Sequence, residues 1–185
     1  NNYLNPRFRL YAQLGIFAVT IGVWPLLIPT DFGVPILDFL MRLPLIGWLL
    51  SVIFCVGFVN SINMADGANG LMAGVITIAF SLFYASTGQF VYAAMMTACA
   101  VFTIFNVISG RLFLGDAGSY GMGAGLLFSA LAVLADGSVS LSFLAALYFY
   151  PCFDFLVSIV RRRRAGLPIT APDNDHLHNR LHRFY

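Results

Sequence analysis

The chain has 185 residues, of which 59% are hydrophobic, 15% aromatic and only 10% charged, against roughly 25% charged in a typical soluble protein. A soluble domain of this size buries only about 70% of its chain, so the composition excludes water as the main solvent and predicts an all-α, polytopic membrane helix bundle. All ten basic residues are Arg, all eight acids are Asp, and the net charge is +2. That balance is too small for nucleic-acid binding by bulk electrostatics, and the absence of Lys excludes a Walker phosphate loop and Schiff-base chemistry.

A helix needs about 20 apolar residues to cross a bilayer, and about six runs qualify or come close. In chain order they are Leu10 to about Pro29, Leu45 to Val59, Leu71 to Thr87, Phe90 to Ile108, about Tyr120 to Ala135, and Val139 to Val160. The segment 30–44, with Pro29, Pro35 and Pro44 in and around it, reads as an irregular surface loop. Cys55, Cys99 and Cys152 lie inside apolar runs and read as small core residues.

Six crossings sort the connections into two sets. Residues 1–9, 60–70, 109–119 and 161–185 carry nine of the ten arginines (Arg7, Arg9, Arg111, Arg161 to Arg164, Arg180 and Arg183), and the opposite set carries Arg42 alone. The positive-inside rule assigns the first set to the cytoplasm. Every segment dense in Asn, Asp, Gly and His falls on that same face.

Three segments carry chemistry. In the first, Asn60, Asn63 and Asp66 are spaced by three and share one face of a helix; Asn69 continues that face if the helix persists past Gly67. Helix capping accounts for one of these polar residues, not for a stripe of four. In the second, Gly110-Arg-Leu-Phe-Leu-Gly115-Asp116-Ala-Gly118-Ser119, a carboxylate sits in a Gly-rich turn just before an apolar run. Such a group suits Mg²⁺, which takes one or two carboxylates and completes its shell with phosphate oxygens and water; an N-cap with flexible glycines is the structural alternative. The third is the tail. Its Arg161 to Arg164 run anchors the topology, while His176, His178 and Arg180 are donors suited to a polyanion. Asp154, inside the last run, reads as a bundle-internal hydrogen-bonding group.

Three motifs, Asn60-Ser-Ile-Asn63-Met-Ala-Asp66-Gly-Ala-Asn69-Gly-Leu71, Phe113-Leu-Gly-Asp116-Ala-Gly-Ser119 and Asp175-His176-Leu-His178-Asn-Arg180-Leu181, resemble in order and spacing those of the polyprenyl-phosphate N-acetylhexosamine-1-phosphate transferases. That family includes enzymes that start O-antigen, enterobacterial common antigen and teichoic acid synthesis, and the related phospho-muramoyl-pentapeptide transferase. The resemblance covers essentially the whole chain. It implies transfer of a sugar-1-phosphate from a UDP-N-acetylhexosamine to undecaprenyl phosphate with release of UMP, at the cytoplasmic face of a bacterial inner membrane, by a protein able to form a homodimer. It implies Mg²⁺, with Mn²⁺ as a substitute, on Asp116. Phe113 would stack on uracil; Asn63, Asp66 and Asn106 would line the nucleotide pocket, with Asn60 and Asn69 beside them; His176, His178 and Arg180 would contact diphosphate and sugar.

Two departures stand out. The family's adjacent aspartates, which precede a segment like Asn5-Pro-Arg7-Phe-Arg9-Leu10, are absent from the sequence. Residues 1–185 are therefore expected to be the C-terminal part of a single transmembrane transferase domain, inactive alone, with its first spans missing. Asn69 and Asn179 stand where many members have Asp and His, which leaves the sugar and nucleotide preference open. The competing reading is a non-catalytic transporter or scaffold that keeps the fold.

Overall fold

The structure is a computed structural model that describes residues 5–167. Proline opens each of the first four helical elements: α1 (Pro6–Val23), a single 3₁₀ turn (Pro25–Leu27), α2 (Pro35–Arg42) and α3 (Pro44–Ala65). Proline is favoured there because its fixed φ is helical and its missing N–H would be unpaired in the first turn anyway. Asn5 caps α1, its Oδ1 accepting from the Arg7 N–H at 2.9 Å. The chain continues through α4 (Leu71–Thr87), α5 (Phe90–Ser109), α6 (Gly115–Ala135), α7 (Leu141–Leu147) and α8 (Phe149–Arg164).

Three of these expectations are corrected. The segment 30–44 is not a plain loop, because Pro35 starts α2 rather than breaking a strand or coil. The second apolar run does not stop at Val59; α3 carries on through Asn60 and Asn63 and ends with Asp66 as its C-cap. The last run, expected as one span, is broken into α7 and α8 with a 65° bend between them. Pro151 supplies the reason: it has no N–H to offer the Leu147 carbonyl, the bond that would carry one helix through the break.

α3, α5 and α6 are each long and apolar enough to cross a membrane, and the bent pair α7–α8 makes a fourth if taken as one span. The other two expected runs are also helices. α4 is apolar but 17 residues long, and α1 has 18 residues and begins with Arg7 and Arg9.

α3 is the hub, packing against α1, α2, α6 and α8, while α4 and α5 form a second pair joined to α6 through α4. Ile62, Met72, Ile76, Phe80, Phe83, Leu126 and Leu127 are fully buried at these junctions. Lipid gives no hydrophobic drive for helix association, so close contact through small residues matters instead. Gly123 of α6 provides it: a Cβ there would lie 3.3 Å from the Ile62 side chain of α3. One face of α5, with Ile104, Phe105 and Ile108, stays exposed, as a lipid-facing surface does.

Candidate active site

The ends of α1, α3, α5 and α6 meet at one end of the bundle, and the polar residues there form two layers. In the outer layer, Arg9 of α1 pairs with Asp116 Oδ2 of α6. Asn63 of α3 donates from Nδ2 to Asp116 Oδ1 at 3.2 Å and to Ser119 Oγ at 2.7 Å. Ser119 in turn donates to the Gly115 carbonyl at 2.9 Å. The inner layer lies one helical turn deeper on each element. Asn60 donates from Nδ2 to Gln13 Oε1 at 2.6 Å and to the Val56 carbonyl at 2.8 Å. Tyr120 donates to Asn60 Oδ1 at 3.3 Å.

The pairing follows from helix periodicity. Arg9 and Gln13, like Asp116 and Tyr120, are four apart and share a helix face, as do Asn60 and Asn63 at three apart. The inner layer bolts three helices together through groups that apolar surroundings would penalise if left unpaired. The outer layer holds Asp116 at the surface, its side chain 56% exposed. Asp116 lies in the first turn of α6, where the positive end of the helix dipole favours a carboxylate.

A second tie joins the two connecting loops. Asn106, in the last turn of α5, is only 5% exposed. Its Oδ1 accepts from the Gly70 N–H and its Nδ2 donates to the Leu112 carbonyl. One buried amide thus fixes both the 66–70 turn and the 110–114 turn. Gly70 (φ +78°) can be nothing else: its left-handed backbone disfavours any side chain, and a Cβ would collide with Val107. Gly110 (φ +60°) ends α5 in the same conformation, and Asn69 Nδ2 lies 3.6 Å from where its Cβ would stand.

Asp66, Asn69 and Phe113 stand on these tied turns. Asp66 is half-buried, and burial pushes its carboxyl up to about 6. Asn69 is exposed because the helix does not persist past Gly67. The Phe113 ring is 66% exposed at the rim. His176, His178 and Arg180 lie outside the described residues. Asp154 is buried within α8 and does not lack a partner. Cys55 and Cys99 are buried free thiols.

The structure therefore brings together Asn60, Asn63, Asp66, Asn69, Asn106, Phe113 and Asp116. Asn60 and Asn106 stand behind the surface, their amides engaged by protein groups. Sequence reasoning missed Arg9, Gln13 and Tyr120. In the sequence Arg9 bears on topology and on the segment that follows the family's aspartates; its spacing of four from Gln13 is the available signal for a polar face on α1.

Residues 2–136 match the family model described as Glycosyl transferase family 4. Among similar curated proteins, a probable undecaprenyl-phosphate N-acetylglucosaminyl 1-phosphate transferase of Bacillus subtilis is 29% identical, over 98% of this chain and 54% of its own length. A decaprenyl-phosphate N-acetylglucosaminephosphotransferase of Mycobacterium tuberculosis is 32% identical over 72% of this chain and 40% of its own. A phospho-N-acetylmuramoyl-pentapeptide-transferase of Nostoc punctiforme is 29% identical over 86% and 46%. The chain spans about half the length of the curated relatives it matches. No solved structure matches it.

Proposed function

Because this chain belongs to glycosyl transferase family 4, we propose that it forms the nucleotide-sugar end of an enzyme that moves an N-acetylhexosamine-1-phosphate from a UDP-sugar to undecaprenyl phosphate and releases UMP. The observation that carries the reading is the meeting of Asn63 and Asp116 at an exposed polar surface immediately above apolar helices. Such a surface lets a soluble phosphorylated donor and a lipid phosphate share one boundary.

The donor set suits Mg²⁺ bound together with phosphates. Asp116 offers one exposed carboxylate, and the described residues contain no cluster of three or more His, Cys, Asp or Glu side chains that would make an all-protein cage. Mg²⁺ is bound through few carboxylates plus substrate phosphates, with Mn²⁺ as the substitute. Asp116 would hold the ion, whose chemistry is to neutralise diphosphate charge during phosphoryl transfer. Asn63 and Ser119 fix the carboxylate's orientation. Asn106 keeps the two turns at a set separation, so that Phe113 can stack on a base while Asp66 and Asn69 border the same pocket. From the tail, His176, His178 and Arg180 supply donors to the diphosphate and sugar. Transfer of this kind rests on positioning and charge compensation more than on covalent chemistry.

The arginine distribution supports a cytoplasmic site, and the polyprenyl-phosphate lipids named for the bacterial relatives support a location in a bacterial plasma membrane. A donor screen tests the reading. The intact protein in undecaprenyl-phosphate vesicles with Mg²⁺ should yield a lipid diphosphate sugar and UMP from a UDP-N-acetylhexosamine. No product from any UDP-sugar would favour the transporter or scaffold reading instead.

A further inference from the structure

Arg9 reaches Asp116 across 107 positions of sequence, and it does so at the carboxylate to which the reading above assigns the metal. A divalent cation cannot take Asp116 Oδ2 while the guanidinium sits on it, and two cations side by side repel. Nor is Arg9 fully used where it stands. Its Nε is buried and has no hydrogen-bond partner among the described residues, although a guanidinium carries five N–H donors and no acceptor. Among the described residues it is a cation with one anchor and an unfilled donor, on a helix face held in place by Gln13 one turn below.

Resting on that metal reading, we infer that Arg9 is the resident counter-ion of Asp116, which a divalent cation displaces and which the phosphates of a nucleoside diphosphate then engage. The consequence is coupling. Without nucleotide, Arg9 competes with the metal. With nucleotide bound, the guanidinium has a second anion to engage, and the competition is relieved. Metal and nucleotide then bind as a pair, each tightening the other by the same factor, as linkage requires. The exchange forms and breaks only ion pairs and hydrogen bonds.

The partly exposed side chains of this pair set its size: exposed ion pairs contribute about 0.2–1 kcal/mol, or up to about fivefold in an equilibrium constant. The test is Mn²⁺ binding to the intact protein, read by electron paramagnetic resonance of the free ion, with and without UDP. Arg9→Gln should bind Mn²⁺ alone about two- to fivefold more tightly than the wild type, and UDP should tighten Mn²⁺ less in this variant than in the wild type. Arg9→Lys, which keeps the charge, should stay close to wild type on both counts. Arg9→Gln with unchanged or weaker Mn²⁺ binding in the absence of UDP, while Asp116→Asn abolishes it, would overturn the counter-ion role and leave the metal site intact. Mn²⁺ binding that is indifferent to Asp116→Asn would overturn the metal site and the inference together.

Discussion

Asn63 and Asp116, 53 residues apart on different helices, are joined by a 3.2 Å hydrogen bond from the Asn63 amide to the carboxylate. The same amide bonds Ser119 one turn further along α6. Asn63 thus sets both the position and the rotation of the carboxylate. Partners of metal-ligating groups typically cost 10–100-fold in affinity or activity when removed. Asn63→Ala should lower turnover by about that factor and raise the Mg²⁺ concentration for half-maximal rate. A Mg²⁺ titration of the initial rate checks this; an unchanged midpoint would show that the bond does not position the site.

Asn106→Ala would leave the Gly70 N–H and the Leu112 carbonyl without their partner. Both hydrogen bonds are part-buried, so each group left unpaired costs at most about 1–3 kcal/mol, which the two turns can recover by moving apart to admit water. The KM for the UDP-sugar should rise about tenfold or more, the equivalent of about 1.4 kcal/mol, with a smaller fall in kcat. Asn106→Asp keeps the acceptor for Gly70 and should fall between. Steady-state kinetics over donor concentration decides; equal losses in kcat and kcat/KM would place Asn106 in the chemical step rather than in the scaffold.

Much of this architecture is legible in the sequence, for local reasons. Gly70 and Gly88 flank Leu71–Thr87, so that helix can be read to the residue. The spacing of Asn60, Asn63 and Asp66 marks one helix face because three residues nearly complete a turn. Other features leave no local trace. Arg9 meets Asp116 only because α1 and α6 pack beside α3, a juxtaposition that no window of sequence contains. The family resemblance names Asn106 as a pocket-lining residue, but that its amide ties the backbone of two turns together is visible only in the fold. Pro35 and Pro151 illustrate the ambiguity of proline, which opens α2 in one case and breaks a span in the other.

Asp66 makes stability depend on pH in a defined direction. Its carboxyl titrates near 6 in the fold, against an ordinary 3.8. Between those values the folded chain holds a proton that the unfolded chain has released, so stability falls as pH rises through this window and levels off above it. Asp66→Asn removes the group. Thermal melts of the intact protein from pH 4 to 7 should therefore show the wild type losing Tm relative to the variant as pH rises. Parallel curves would mean that Asp66 is not desolvated.

Gly123 and Gly121 lie two positions apart on α6 but face different surroundings. A Cβ at 123 would press on Ile62 at 3.3 Å, whereas one at 121 would meet nothing within 4 Å. Overpacking typically costs about 1–3 kcal/mol. Gly123→Leu should lower the Tm of the detergent-solubilised protein, and Gly121→Leu should leave it nearly unchanged. Equal effects would contradict the close α3–α6 contact.

The most direct test of the account is single-turnover UMP formation by the intact protein with undecaprenyl phosphate, a UDP-N-acetylhexosamine and Mg²⁺, comparing wild type with Asp116→Asn. The wild type should release UMP only when Mg²⁺ and the lipid phosphate are both present, and Asp116→Asn, folded to the same Tm, should be slower by orders of magnitude. UMP release by Asp116→Asn at the wild-type rate would contradict it.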